Sequence, residues 1–248
     1  MGLSFHQAIE RSGPIPADSA TRAEKKTYSE LLSRELAFEV SEILAPRHVF
    51  RSVSPRRGVD GPEKYFLGGF GKKKIDVSIA DEQSGLLLAV SIKTITSRDT
   101  RTKNYNKNFK NRFGDLCAES TSVHMRSPYT VMSGLFAMPT AAAYDGTDRR
   151  TSTAHRAMRY LRSISGRTAH ELSFERFESL TFMLFDPAGS ESGQSNLSLC
   201  AFEGVENLPP HGRPFRLFDP YAGREVDVDG YAEELERQFL VRNPFVDD

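Results

Sequence analysis

The stretch from Lys72 to Thr94, KKKIDVSIADEQSGLLLAVSIKT, constrains this chain more than any other. Leu86 to Ile92 is an apolar run with the length of a buried strand. The polar turn Asp81-Glu82-Gln83-Ser84-Gly85 folds it back on a preceding strand. That preceding strand carries one acid, Asp76, behind three lysines. The second strand ends in Ser91-Ile92-Lys93, so Ser91 and Lys93 share one face and Val90 and Ile92 the other.

Around this pair the chain reads as alternating helices and strands. Leu32, Leu36, Val40, Ile43 and Leu44 form one stripe of a helix between about Ala17 and Ala45, which Pro46 stops. DLCAESTSVHMRS (115–127) reads as a helix and PYTVMSGLFAMP (128–139) as a buried strand. Residues 151–165 and 170–180 look helical, 181–187 and 196–204 look like strands, and 229–243 reads as a closing helix. The expected class is mixed α/β. The first 19 residues, punctuated by Pro14 and Pro16, read as a loose arm before a single domain over 20–248, with its core at about 20–140 and an elaboration over 141–248.

Composition excludes several classes. No run approaches the roughly 18 apolar residues of a membrane span, and the start MGLSFHQAIERSG lacks the regions of a signal peptide. With only Cys117 and Cys200, far apart, a reducing cytoplasm is expected. His124, His155 and His170 lack zinc-ligand spacing, and Ser133 lacks a nucleophile elbow. The formal net charge of +0 hides an asymmetry: residues 47–112 hold 15 Lys/Arg against six Asp/Glu, and residues 201–248 hold five against 11. Only the first region suits a polyanion.

Phosphodiester cleavage by metal ions needs carboxylates to hold the metal against the phosphate and a group that positions the attacking water. Asp76 offers one carboxylate, and Lys93 can stabilise developing charge. An acid inside an apolar strand is disfavoured unless a charged or metal partner accompanies it.

On Ile75-Asp76 and Ser91-Ile92-Lys93, within the order helix, Asp strand, turn, apolar strand, over roughly residues 20–140, the chain resembles the PD-(D/E)XK nuclease superfamily, to which many restriction endonucleases belong. The resemblance implies a restriction-endonuclease-like core, a central mixed β-sheet flanked by helices, and a type II restriction-type or phage-defence DNA endonuclease. It implies Mg²⁺, with Mn²⁺ as a substitute, double-stranded DNA as substrate, a homodimer with no membrane association, and a partner methyltransferase or defence-complex subunit. Ser91 stands where the superfamily's motif has an acid. Ser-x-Lys members recover that acid from the following helix, which here offers Asp115 and Glu119. Glu119 borders the apolar stripe of Phe113, Leu116, Cys117 and Val123 and is the first choice. Glu39, on the first helix, is the second. The resemblance thus casts Asp76, Lys93, Glu119 and Ser91 as catalytic and Asp76, Glu119 and Glu39 as metal ligands. The alternative is a catalytically inactive nuclease-fold DNA-binding subunit.

RDTRTKNYNKNFKNR, after the second strand, interleaves Arg98, Arg101, Lys103, Lys107, Lys110 and Arg112 with Asn104, Tyr105, Phe109 and further asparagines. Basic groups neutralise phosphates, asparagines pair with adenine edges and aromatics stack on bases, so this segment is expected to clamp DNA together with Lys72, Lys73 and Lys74.

Overall fold

The computed structural model describes residues 4–59, 64–169, 173–189 and 214–244. Helix α2 (Arg22–Leu44) starts at a capping box, in which Thr21 Oγ1 accepts from the Glu24 amide and the Glu24 carboxylate accepts from the Thr21 amide. A hairpin of β1 (Lys64–Gly68) and β2 (Gly71–Ile75) forms a separate two-stranded sheet. The main sheet comprises β3 (Val77–Asp81), β4 (Gly85–Thr94), β5 (Val131–Pro139), β6 (Ser179–Phe185), β7 (Phe215–Asp219) and β8 (Arg224–Val226), in chain order from edge to edge. Its β4-β5-β6 centre is parallel and its other pairs are antiparallel, so the sheet is mixed.

Helices cover both faces. Val77, Ile79, Leu88, Val90 and Ile92 join one core with α1 (Ser4–Ser12), α2 and α5 (Val228–Arg242). Ala89, Met132, Phe136, Leu180 and Phe182 join a second with α3 (Phe109–Arg126) and α4 (Thr153–Ser163). β5 and β6 are buried along their whole lengths, as parallel strands covered on both faces must be. Gly134 is required by packing, since a Cβ there would lie 2.4 Å from Leu180 Cδ2.

The mixed α/β class stands, but several expected details change. The N-terminal segment is no loose arm over its whole length: Ser4–Ser12 is a helix whose Phe5, Ala8 and Ile9 are buried in the same core as α2. Apolar side chains at i, i+3 and i+4 give it a face to bury, which the nearby prolines obscure. The lysine-rich strand is two strands, broken at Asp76. Residues 173–178 of the expected helix 170–180 are turn and loop, because Phe177 and Glu178 tie into Ile164, Arg167 and Met132 by backbone bonds. Strands β7 and β8 have no counterpart in the sequence pattern, and the expected strand at 196–204 lies outside the described residues. The C-terminal region shares the α2 core through Tyr231, Leu235 and Phe239.

Candidate active site

The register of β3 and β4 pairs Val77 with Val90, and both point into the α2 core. Asp76 immediately precedes that first pair, at the bend where the chain passes from β2 into β3. Strand β3 begins at Val77, so its ladder with β4 stops short of Ile92. There the Asp76 carboxylate accepts the Ile92 N–H at 2.6 Å. Asp76 therefore sits at a corner between β2 and β3, partly exposed and held by the strand that carries Ser91 and Lys93. The expected position in mid-strand is corrected, because β2 leaves the main sheet to pair with β1.

Ser91 and Lys93 project from β4 toward α3, and Glu119 meets both. Lys93 Nζ donates to Glu119 Oε1 at 2.7 Å and to Oε2 at 2.9 Å. The Ser91 hydroxyl donates to Glu119 Oε2. Lys93 keeps 12% and Glu119 22% of side-chain exposure, so the cluster is shielded yet reachable from solvent. One end of β4 thus gathers Asp76, Ser91, Lys93 and Glu119 from β4, α3 and the β2–β3 corner. The formal charge of Asp76, Glu119 and Lys93 sums to −1.

Glu39 lies elsewhere. β4 turns Leu88, Val90, Ile92 and Thr94 toward α2, and Thr94 bonds Ser29 and Ser33 of that helix. Ser91 and Lys93 point the opposite way, so the sheet stands between them and α2. Glu39 is buried against Arg11 at 2.6 Å and Arg57 at 3.1 Å. Burial pushes its carboxyl above the usual range, Glu42 adds to this, and the two arginines only partly offset it. As a metal ligand beside Asp76, Glu39 is corrected to a structural acid.

The basic segment is more ordered than a clamp loop. Lys107, Lys110 and Arg112 fall in a 3-10 turn (Asn106–Asn108) and the first turns of α3. Asp99 organises the bend before it, accepting from the Arg101 and Thr102 amides and pairing with Lys107 at 3.0 Å, which holds its carboxyl far below the ordinary range. Asp18 pairs with Arg98 at 2.9 Å and Lys103 at 3.9 Å. Asn104, Tyr105 and Phe109 are buried, so their expected role in touching bases is corrected: the two rings serve the core on α3's side. Arg101 and Lys110 stay exposed, as do Lys72 and Lys74, while Lys73 is half-buried.

A second charged cluster has no sequence signature. Glu178 is fully buried and accepts from Arg167 Nη1 at 2.6 Å, Arg242 Nη2 at 2.9 Å and the Met132 amide at 2.9 Å, with His124 Nε2 at 3.4 Å. Burial opposes its charge, but the nearby His124, the Met132 amide and Arg167 outweigh that and hold its carboxyl below the usual range. It pins α3, α5 and the start of β6 together. No local pattern signals it, because its members are spread from residue 124 to residue 242.

Among the described residues no group of three or more His, Cys, Asp or Glu side chains is placed to hold a metal ion, and no helix is long and apolar enough to cross a membrane. Comparisons with protein-family models, curated proteins and solved structures return no match.

Proposed function

We propose that this protein is a metal-dependent DNA endonuclease whose site is Asp76, Ser91, Lys93 and Glu119. One observation carries the reading. The acid that Ser91 does not supply is present in space, on α3, in contact with both Ser91 and Lys93. Chain order supports it too: α2, β3, β4, α3 and β5 follow one another as in the restriction-endonuclease-like core that the sequence resembles.

Two carboxylates are a suitable donor set for Mg²⁺, which keeps waters and takes one or two protein carboxylates plus phosphate oxygens. A site summing to −1 would repel a phosphodiester, and a divalent cation reverses that sign. Asp76 and Glu119 would hold the ion, which supplies Lewis acidity and an activated water. The Ile92 amide fixes the Asp76 carboxylate. Ser91 orients Glu119, and Lys93 presents an ammonium for the developing charge on phosphate or for the attacking water. Exposed Lys72, Lys74, Arg101 and Lys110 supply phosphate contacts along the duplex, and a homodimer would place two such sites on opposite strands.

The test is supercoiled-plasmid cleavage with Mg²⁺ or Mn²⁺ by wild type, Asp76→Ala and Lys93→Ala. Cleavage by wild type alone supports the proposal, and equal cleavage by all three overturns it. Duplex binding without cleavage by any of them would leave the inactive DNA-binding subunit as the correct reading.

A further inference from the structure

The β1–β2 ribbon is amphipathic in an unusual sense. Its register pairs Tyr65 with Lys74, Phe66 with Lys73 and Leu67 with Lys72. Phe66 packs against the α3 core, whereas Tyr65, Leu67 and Phe70 expose 62%, 63% and 66% of their surfaces. The outer face therefore presents Tyr65, Leu67, Lys72 and Lys74 side by side, with Phe70 at the tip. Residues 64–75 contain four lysines and no carboxylate.

The tip is seated on the helix that carries Glu119. The Gly69 amide donates to the Ser122 carbonyl at 2.6 Å and the Phe70 amide to Ser122 Oγ at 3.2 Å. A Cβ on Gly68 would lie 2.4 Å from Ser122 Oγ, and one on Gly69 would lie 2.7 Å from Met125 Cβ, so only glycines allow this approach. Gly71, at φ +100°, completes the turn. Exposed apolar residues are thus held in a fixed pose.

We propose that this ribbon is a groove-inserting wedge for duplex DNA: Phe70 and Leu67 enter a groove against the bases while Lys72 and Lys74 take the flanking phosphates. This rests on the endonuclease reading and adds residues to it. Apolar wedges in a groove part base steps, and lysines beside them hold the backbone. A two-fold contact between copies would set the lysines of one ribbon against those of the other with no acid to offset them. The helix rise from Glu119 to Met125 is about 9 Å, and the strand length from Phe70 to Asp76 is about 20 Å. At about 3.4 Å per base pair, the disturbed step lies some three to six base pairs from the cut phosphate.

The chain has no tryptophan, so Phe70→Trp creates a single reporter. With a 30-base-pair duplex and no divalent metal, its emission is expected to be quenched at least twofold on binding. Phe70→Ser with Leu67→Ser is expected to weaken duplex binding about tenfold or more, and Lys72→Ala to lower the salt slope by about one. Unquenched indole emission from the Phe70→Trp variant on bound duplex, or wild-type affinity in the double serine variant, overturns the wedge while wild-type plasmid cleavage still upholds the nuclease. Quenching without wild-type cleavage keeps the wedge and defeats the nuclease. No duplex binding, loss of a concentration-dependent dimer in the serine variant, or quenching by phosphatidylserine vesicles in place of DNA also overturns the wedge.

Discussion

Lys93 donates to both carboxylate oxygens of Glu119, at 2.7 and 2.9 Å, across the gap between β4 and α3. The contact joins residues 26 positions apart and exists because Ser91 and Lys93 share the face of β4 that looks at α3. A longer residue at 91 would crowd the same space.

Glu119→Gln and Asp76→Ala are each expected to lower plasmid cleavage by about 100-fold or more, the scale of losing one preorganised charge at a reacting phosphate. Glu39→Gln should leave cleavage within about threefold. Circular dichroism checks that each variant is folded, and cleavage lost through Glu39 but kept through Glu119 would reverse the assignment of the second acid.

Glu178→Gln is expected to destabilise the fold by about 3–5 kcal/mol, because it removes the buried carboxylate charge that pairs with both Arg167 and Arg242. Urea unfolding followed by circular dichroism measures this. Arg242→Met should cost less, since Arg167 still neutralises the carboxylate.

The same residue sets an acid limit. Its native carboxyl titrates below the unfolded value of about 4.3, so its contribution is whole above that value and is lost as pH falls through the lower native one. Glu39 has the opposite sign: its native carboxyl titrates above the unfolded value, so lowering the pH relieves its burial. The urea midpoint of Glu178→Gln should fall less steeply than wild type below about pH 4.3. That of Glu39→Gln should approach wild type as pH falls.

Phe109→Ala is expected to cost about 3–5 kcal/mol of stability, since its ring is 1% exposed and packs edge-on to Phe136 at 5.7 Å. Lys110→Ala, one residue on and exposed, should change stability by less than about 0.5 kcal/mol and lower the salt dependence of DNA binding. Thermal melts and binding titrations at two salt concentrations separate the two.

Much of the site is legible in the sequence because it depends on local rules. Strand parity places Ser91 and Lys93 together, and helical spacing puts Glu119 at the border of α3's apolar stripe. The same spacing misleads at Glu39, because it says nothing about which side of a sheet a helix covers. The pairing of Thr94 with Ser29 and Ser33, and the packing of Val90 and Ile92 in the α2 core, show that α2 lies behind the strand. Tyr105 and Phe109 resemble base-stacking groups because interleaved charge hides a helix start. The ribbon has a signal in the alternation Tyr65-x-Leu67 followed by Gly68-Gly69, but nothing in the letters shows that the strand breaks at Asp76. Glu178 and its arginines carry no local signal.

Asp76 is the single residue between Ile75 of the ribbon and Val77 of the sheet. Those neighbours belong to different pairings, so any tilt of the ribbon against the sheet must be taken up in the backbone angles of that one acid. A duplex pulling on Phe70 would therefore act on Asp76 as a handle acts on a hinge pin. If the chain acts as proposed, substrate grip and the aim of the Asp76 carboxylate would share one mechanical joint, and lengthening that joint by even one residue would uncouple them.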